Sequence, residues 1–367
     1  MRLVIGTRPE AIKLAPLAHA LTERGILSKL IFTGQHPSLD AADFDLAGFA
    51  ADRLHCPGEQ DPHRHVGMVT TAMLALLAER PDLLVVQGDT SSALGAALAG
   101  FTAAVPVAHV EAGLRTHDPL LPWPEEEYRT AIDAQARLLF APTATAAENL
   151  RAEQVPGEIH VTGNTSIDAV LAIEARLPAP DRRNSRLPRL LVTAHRRESW
   201  GEGLRSIAAA LRELAMDAEI DFVLHPNPHV AAAMRELLGD VRHIRLLQPC
   251  GHRELVQHMQ SADLILSDSG GIQEEAPALG IPLLVLREKT ERPEGIASGS
   301  AILVGTSAER IVDEAQRLLR DPGMLAALRR RSFPYGDGKA GVRIAEIIEE
   351  WLRRAHPSRG PDQGARS

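Results

Sequence analysis

LLVVQGDTSSALGAALAGFTAAVPVAHVEAG, residues 83–113, carries the pattern on which the fold turns. Residues 83–87 form a short, nearly continuous apolar run, closed by Gly88-Asp89. From Thr90 to Val110 no Asp, Glu, Lys or Arg occurs, a run long enough for a membrane span. Yet it is Ala-rich, holds Gly95 and Gly100, and is broken by Pro106 before Val107-Ala108-His109-Val110. It therefore reads as a buried helix followed by a buried strand.

The same alternation extends in both directions. Further strands are expected at residues 3–5, 29–33 and 138–141, then at 190–193, 221–224, 244–247, 264–267 and 283–286. Helices are expected between them, for example at 11–24 and 125–136. Continuous apolar strands alternating with helices indicate parallel sheets covered on both faces. The fold class is therefore α/β, with two Rossmann-like domains facing across a cleft. The Pro- and Arg-rich segment 176–190, which has no periodicity, reads as a linker. The expected division is residues 1–175, residues 176–340, a C-terminal helix at 341–354 and a disordered tail at 355–367.

Composition narrows the function. The chain of 367 residues has 40 Lys+Arg against 48 Asp+Glu, a net charge of −8, and is 3% aromatic. An acidic chain with few stacking rings is a poor match for nucleic acid. Only four of the basic residues are lysines: Lys13, Lys29, Lys289 and Lys339. Cys56 and Cys250 lie far apart, which excludes a disulfide framework and a four-thiolate zinc site. With no apolar core for a leader at MRLVIGTRPEAIK, a cytoplasmic protein with no membrane partner is expected.

In such sheets ligands bind beyond the carboxyl ends of the strands. The first strand is followed by Gly6-Thr7-Arg8-Pro9-Glu10, with Pro9 suited to the first turn of a helix. Arg8 there is either a phosphate fork or a solvated charge. Asp89 is either an N-cap or a reacting carboxylate. Glu111, just past Val110, is less readily explained as a cap. The run Glu125-Glu126-Glu127 is either a solvated helix start or functional, and its rigid lead-in, Pro122-Trp123-Pro124, favours function.

The second half offers His195 after residues 190–193, and Asp268-Ser269-Gly270-Gly271 after 264–267. Ser-Gly-Gly opening a helix lets backbone N–H groups approach an anion. GxxxxGK[ST] is missing, as is GxGxxG after the first strand, so neither a P-loop nor a nicotinamide site is indicated. His63 and His65 near Cys56, or His225 and His229, have metal-ligand residue types. The two prolines of HPNPH weigh against a ligand-bearing helical turn, and no metal is expected.

Taken in order, GTRPEAIKLAPL, TGQH, QGDTSSAL, HVEAGLRT, PWPEEEYRTAID, VTGNTSIDA, VTAHRRES, HPNP, DSGGIQEEAPALG, TERPEGI and PYGDGKA resemble the non-hydrolysing UDP-N-acetylglucosamine 2-epimerases. These motifs span Gly6 to Ala340. The resemblance implies a glycosyltransferase-B type fold, no metal or organic cofactor, a UDP-sugar substrate and a homodimer. It also implies catalytic roles for Asp89, Glu111, Glu125 and His195. Arg8, Lys13, Ser269, Gly270, Gly271, Glu275 and Arg292 would be nucleotide-sugar contacts.

The chain departs from the family pattern at three places. Pro37-Ser38 follow TGQH where Arg and a polar segment are usual, which predicts weak or absent activation by substrate. Tyr128 replaces Asn, and His252 and Leu255 replace aromatic residues near the uracil region. Rival readings within the fold are a hydrolysing 2-epimerase, an epimerase of a modified UDP-sugar, a glycosyltransferase and a non-catalytic sugar-nucleotide sensor.

Overall fold

The computed structural model describes residues 1–179, 187–194 and 201–356. His195, residues 180–186 of the expected linker and most of the expected tail lie outside the described residues. Two compact units divide the chain. One comprises Met1–Ala169 together with the segment from Gly336 onward; the other is Val170–Tyr335.

The first unit begins with β1 (Arg2–Ile5), α1 (Arg8–Glu23), β2 (Lys29–Phe32), β3 (Ala51–Arg53) and α2 (Pro62–Leu77). It continues with β4 (Leu84–Gln87), α3 (Ser91–Thr102), β5 (Val107–Val110), α4 (Glu125–Asp133) and β6 (Leu138–Ala141). Then come α5 (Ala144–Ala152), β7 (Glu158–Val161) and α6 (Thr165–Glu174), within which the boundary falls. Its parallel sheet has the order β3-β2-β1-β4-β5-β6-β7.

The second unit runs β8 (Arg189–Thr193), α7 (Glu202–Leu214), β9 (Glu219–Val223), α8 (Pro228–Leu238), β10 (Ile244–Leu247) and α9 (His252–Ser261). After these come β11 (Leu264–Ser267), α10 (Gly270–Leu279), β12 (Leu283–Val285), α11 (Pro293–Ala297) and β13 (Ala301–Leu303). The helices α12 (Ala308–Arg320) and α13 (Pro322–Leu328) complete it. Its sheet, also parallel, is ordered β10-β9-β8-β11-β12-β13. Finally α14 (Ala340–Ala355) returns to the first unit.

The apolar strands are buried on both faces, as their unbroken pattern requires. Leu3 and Ile5 enter one core layer with Val85, while Val4 enters the other with Leu84 and Val86. Burying each such side chain contributes roughly 1.5–3 kcal/mol. Within the uncharged run the helix is α3 and the closing strand is β5, as expected; no helix of the described residues is long and apolar enough to cross a membrane. Three strands escaped the pattern: β3 (ADR), β7 (EIHV) and β13 (AIL). All three are sheet edges: β3 and β7 carry charged residues and show no continuous apolar run, whereas β13 is apolar but only three residues long.

Two of the family motifs meet in an architectural contact. Asp168 of VTGNTSIDA accepts the N–H groups of Ala340 (3.1 Å) and Gly341 (2.8 Å), which caps α14. A Cβ on Gly341 would lie 2.9 Å from the Pro16 carbonyl carbon, so glycine lets α14 settle against α1. Ile344, Ile348 and Trp351 then join the core layer of Leu14 and Leu17.

In each sheet the chain leaves a central strand in one direction and later resumes on its other side. The switch lies between β1 and β4 in the first unit, and between β8 and β11 in the second. Ligand crevices of open parallel sheets form at such points.

Candidate active site

In the first unit, three neighbouring turns at the carboxyl edge of the sheet carry the expected residues. At the exit of β1, Thr7 caps α1 and Glu10 completes a capping box. The Glu10 carboxylate accepts from Gly6 N (2.9 Å), Thr7 N (2.6 Å), Thr7 Oγ1 (2.8 Å) and Thr90 Oγ1 (2.7 Å). Burial nevertheless pushes its pKa up to about 7. Arg8 is exposed, and Lys13, one turn into α1, is buried.

At the exit of β4, Gly88 adopts a left-handed φ of +65°. Thr90 is the residue that caps α3, accepting from Ala93 N at 3.0 Å. Asp89 is thus not the N-cap. Its Oδ2 meets the Arg129 guanidinium of α4 at 2.5 Å.

At the exit of β5, Glu111 has a left-handed φ of +70°, a conformation that costs a non-glycine residue about 1–3 kcal/mol. Its surroundings determine it several times over. The N–H groups of Glu111 and Ala112 both donate to the Phe140 carbonyl at 3.1 Å. Lys13 Nζ bonds both carboxylate oxygens, at 2.6 and 2.8 Å, and the Gln87 amide donates to Oε2. The ammonium offsets the charge that burial would otherwise penalise by several kcal/mol.

The acidic run divides into three environments. Glu125, the first residue of α4, is half-buried; Glu127 is exposed. Glu126 is buried, and its Oε1 accepts Thr116 N and His117 N, both at 3.0 Å, which fixes the loop before α4. Tyr128 is also buried, packed edge-on to His63, and burial pushes its phenol up to about 12.

In the second unit, Ser269 is the N-cap of α10, whose first turn is Gly270-Gly271. A Cβ on Gly270 would lie 2.8 Å from an Arg292 guanidinium nitrogen, whereas one on Gly271 would meet nothing closer than 3.9 Å. Gly270 therefore makes room for Arg292, and Gly271 leaves the approach to the helix N-terminus open. Arg292 itself is buried, with Nε donating to Glu274 at 2.6 Å and Nη1 bonded to Glu291. Glu275 faces His252, with Nε2 at 3.0 Å from Oε1. Burial works against a charged imidazole there, but Glu275 raises the His252 pKa above its ordinary value.

Two of the histidines raised as metal ligands have other engagements. His65 bonds Ser91 Oγ (2.7 Å) and the Cys56 carbonyl (3.0 Å). His225 Nδ1 accepts Asn227 N at 2.9 Å in the turn that starts α8. Among the described residues no group of three His, Cys, Asp or Glu is arranged to hold a metal ion.

Several residues with structural weight in the site were not singled out from sequence: Glu10, His109, Arg129 and Asp133. For two of them a signal existed. Thr7-x-x-Glu10 is a capping box, and His109 is a polar residue in the middle of a strand otherwise apolar on both faces.

A profile of the family described as UDP-N-acetylglucosamine 2-epimerase matches residues 19–349. The chain belongs to that family. It is 42% identical over 366 residues to the UDP-N-acetylglucosamine 2-epimerase of Escherichia coli (strain K12), covering 94% of this chain and 97% of that one. Its structure is similar to the crystal structure of UDP-GlcNAc 2-epimerase from Neisseria meningitidis bound to UDP-GlcNAc. The TM-score is 0.90 at 36% identity, over 95% of this chain and all (100%) of that one. The Methanocaldococcus jannaschii UDP-GlcNAc 2-epimerase in complex with UDP-GlcNAc and UDP matches with a TM-score of 0.84 at 34% identity, over 95% and 100% of the two chains. The expected α/β fold of glycosyltransferase-B type is thus the fold of this chain.

Proposed function

We propose that this epimerase interconverts UDP-N-acetylglucosamine and UDP-N-acetylmannosamine without hydrolysis. A carboxylate removes the C2 proton as the C1–O bond to UDP breaks, and a C1–C2 double bond forms. The resulting 2-acetamidoglucal and UDP recombine after a proton is returned to the opposite face of C2. Asp89, Glu111 and Glu125 supply the acid/base groups, each worth roughly 10²–10⁴-fold in rate. His195 acts near the diphosphate. Ser269-Gly270-Gly271 at the N-terminus of α10 receive the diphosphate, with Arg8, Lys13, Glu275 and Arg292 as further contacts.

The observation that carries this reading is Glu111: a buried carboxylate, carried on a strained backbone and held in place by Lys13 and Gln87. Asp89 stands on the adjacent turn, and Arg129 of α4 links it to the helix that Glu125 begins. A protein that only binds a sugar nucleotide has no use for strain spent on aiming an acid.

Incubation with UDP-N-acetylglucosamine in D₂O, followed by NMR, tests the proposal. Deuterium at C2 together with UDP-N-acetylmannosamine is the expected result. Free N-acetylmannosamine plus UDP would instead identify a hydrolysing enzyme, and an inert substrate would direct attention to modified UDP-sugars. With Pro37-Ser38 after Gln35-His36, the rate should follow a hyperbola in UDP-N-acetylglucosamine; a clearly sigmoidal curve would overturn that expectation.

A further inference from the structure

His109 lies in the middle of the candidate site's framework without facing any expected ligand group. It is wholly buried on β5, two residues before Glu111. Its Nε2 lies 2.8 Å from the carbonyl oxygen of Gly88, the residue before Asp89. Its Nδ1 lies 2.6 Å from Asp133 Oδ1, at the last residue of α4. A carbonyl oxygen can only accept, so Nε2 carries a proton and donates it.

The partner on the other side is itself fixed. Asp133 Oδ2 receives Gly113 N at 3.1 Å and the Arg115 guanidinium at 2.8 Å. Although burial favours its neutral form, His109 and Arg115 hold the Asp133 carboxyl below the usual range. Arg115 is held in turn by Glu153, at the C-terminus of α5, through Nε (2.7 Å) and Nη2 (2.6 Å). The ring therefore has its orientation set by a chain of charged groups, Asp133–Arg115–Glu153, buried at Asp133 and Arg115 and reaching the surface at Glu153.

The consequence concerns the turn it reaches. Gly88 has a left-handed φ, and its N–H donates to the Val110 carbonyl at 3.0 Å. With His109 holding its carbonyl, both polar groups of the Gly88 peptide positions are tied to β5. That strand then continues into Glu111. One imidazole thus fixes the exit of β4, which aims Asp89, to the strand that delivers Glu111.

We propose that His109 is a positioning residue that sets the placement of Asp89 relative to Glu111 through its Nε2 bond to the Gly88 carbonyl. The proposal rests on the acid/base roles proposed above for those carboxylates. It does not require His109 to touch the sugar or to exchange a proton with it.

Two substitutions separate this role from simple core packing. His109→Gln can place an amide N–H near the position of Nε2, whereas His109→Asn reaches only the position of Nδ1, toward Asp133. The expected outcome is that His109→Asn lowers kcat about 100-fold, with KM changed less than about threefold. His109→Gln should recover at least a tenth of the lost rate while showing a comparable loss of thermal stability. If both variants lose activity only in proportion to their unfolded fraction, or if KM rises while kcat stays, the positioning role is overturned.

A measurement on the wild-type protein needs no activity at all. In ¹⁵N-labelled protein at neutral pH, His109 Nε2 should resonate as a protonated nitrogen with a slowly exchanging proton. An unprotonated Nε2 would overturn the proposal even in an active enzyme. Conversely, a wild type that fails to exchange C2 in D₂O while showing the protected Nε2 proton would count against the proposed function, not against this geometry.

Discussion

Glu111, at the exit of β5, offers a charged side chain, and the Lys13 ammonium and Gln87 amide determine where it points. Ser269-Gly270-Gly271, at the exit of β11, offers main-chain donors, and the side chains are withdrawn or packed behind, with Arg292 against Gly270. Both turns lie at the carboxyl edge of their sheet, that of β11 at the switch point and that of β5 one strand beyond it, and they solve different problems. Under the proposed function, the first turn has to aim one atom closely for proton transfer at carbon, a demand that accounts for a strained φ and a buried ion pair. Under the same proposal the second has to hold a diffuse diphosphate, which needs several donors and close approach, and glycine and a helix N-terminus provide these without strain.

Removing the aimed group should have the larger effect. Glu111→Gln keeps the size of the side chain and removes the proposed acid/base group; kcat should fall roughly 10²–10⁴-fold, with UDP affinity measured by calorimetry nearly unchanged. Retained turnover would erase the distinction between the two turns.

Glu10 is the intermediate case, a carboxylate satisfied partly by main-chain N–H groups. Its pKa in the folded protein, about 7, is above the ordinary value of 4.5. A raised carboxyl favours folding below its unfolded pKa, and that stability is lost as pH climbs through the folded value. Between about pH 4.5 and 7 the wild type should therefore lose about 3 kcal/mol relative to Glu10→Gln. Urea unfolding of both proteins across that window checks the slope; parallel curves would show that the four donors cancel the effect of burial.

The smallest effect belongs to the glycine pair. Gly270→Ala drives a methyl into a guanidinium already committed to Glu274 and Glu291, and should cost about 1–3 kcal/mol in urea unfolding and weaken UDP binding. Gly271→Ala meets only ordinary contacts and should leave stability within about 0.5 kcal/mol. Equal behaviour of the two would mean that backbone access, not room for Arg292, is what the motif protects.

Sequence legibility followed burial. The central strands β4, β5, β6 and β11 are apolar on both faces, and their limits were readable to within a residue. The edge strands β3 and β7 carry charge and face solvent, so no pattern marked them. Within the site, residues that follow a strand could be found from topology alone, Asp89 and Glu111 among them. Their supports could not. Arg129 reaches Asp89, and Asp133 reaches His109, from a helix 24 to 40 positions further along the chain, and no local spacing encodes such pairs. The alternative reading of Asp89 as a cap failed for a local reason: Thr90, one residue later, takes that position.

The return of α14 to the first unit has a consequence for biogenesis. The second unit is one uninterrupted stretch of chain, whereas the first lacks part of its core layer until Ile344, Ile348 and Trp351 have been synthesised. On the ribosome the unit that begins the chain is therefore the last to be sealed, and Leu14 and Leu17 must wait for it with their apolar surface uncovered. A nascent chain of this enzyme is most in need of a chaperone at its oldest end.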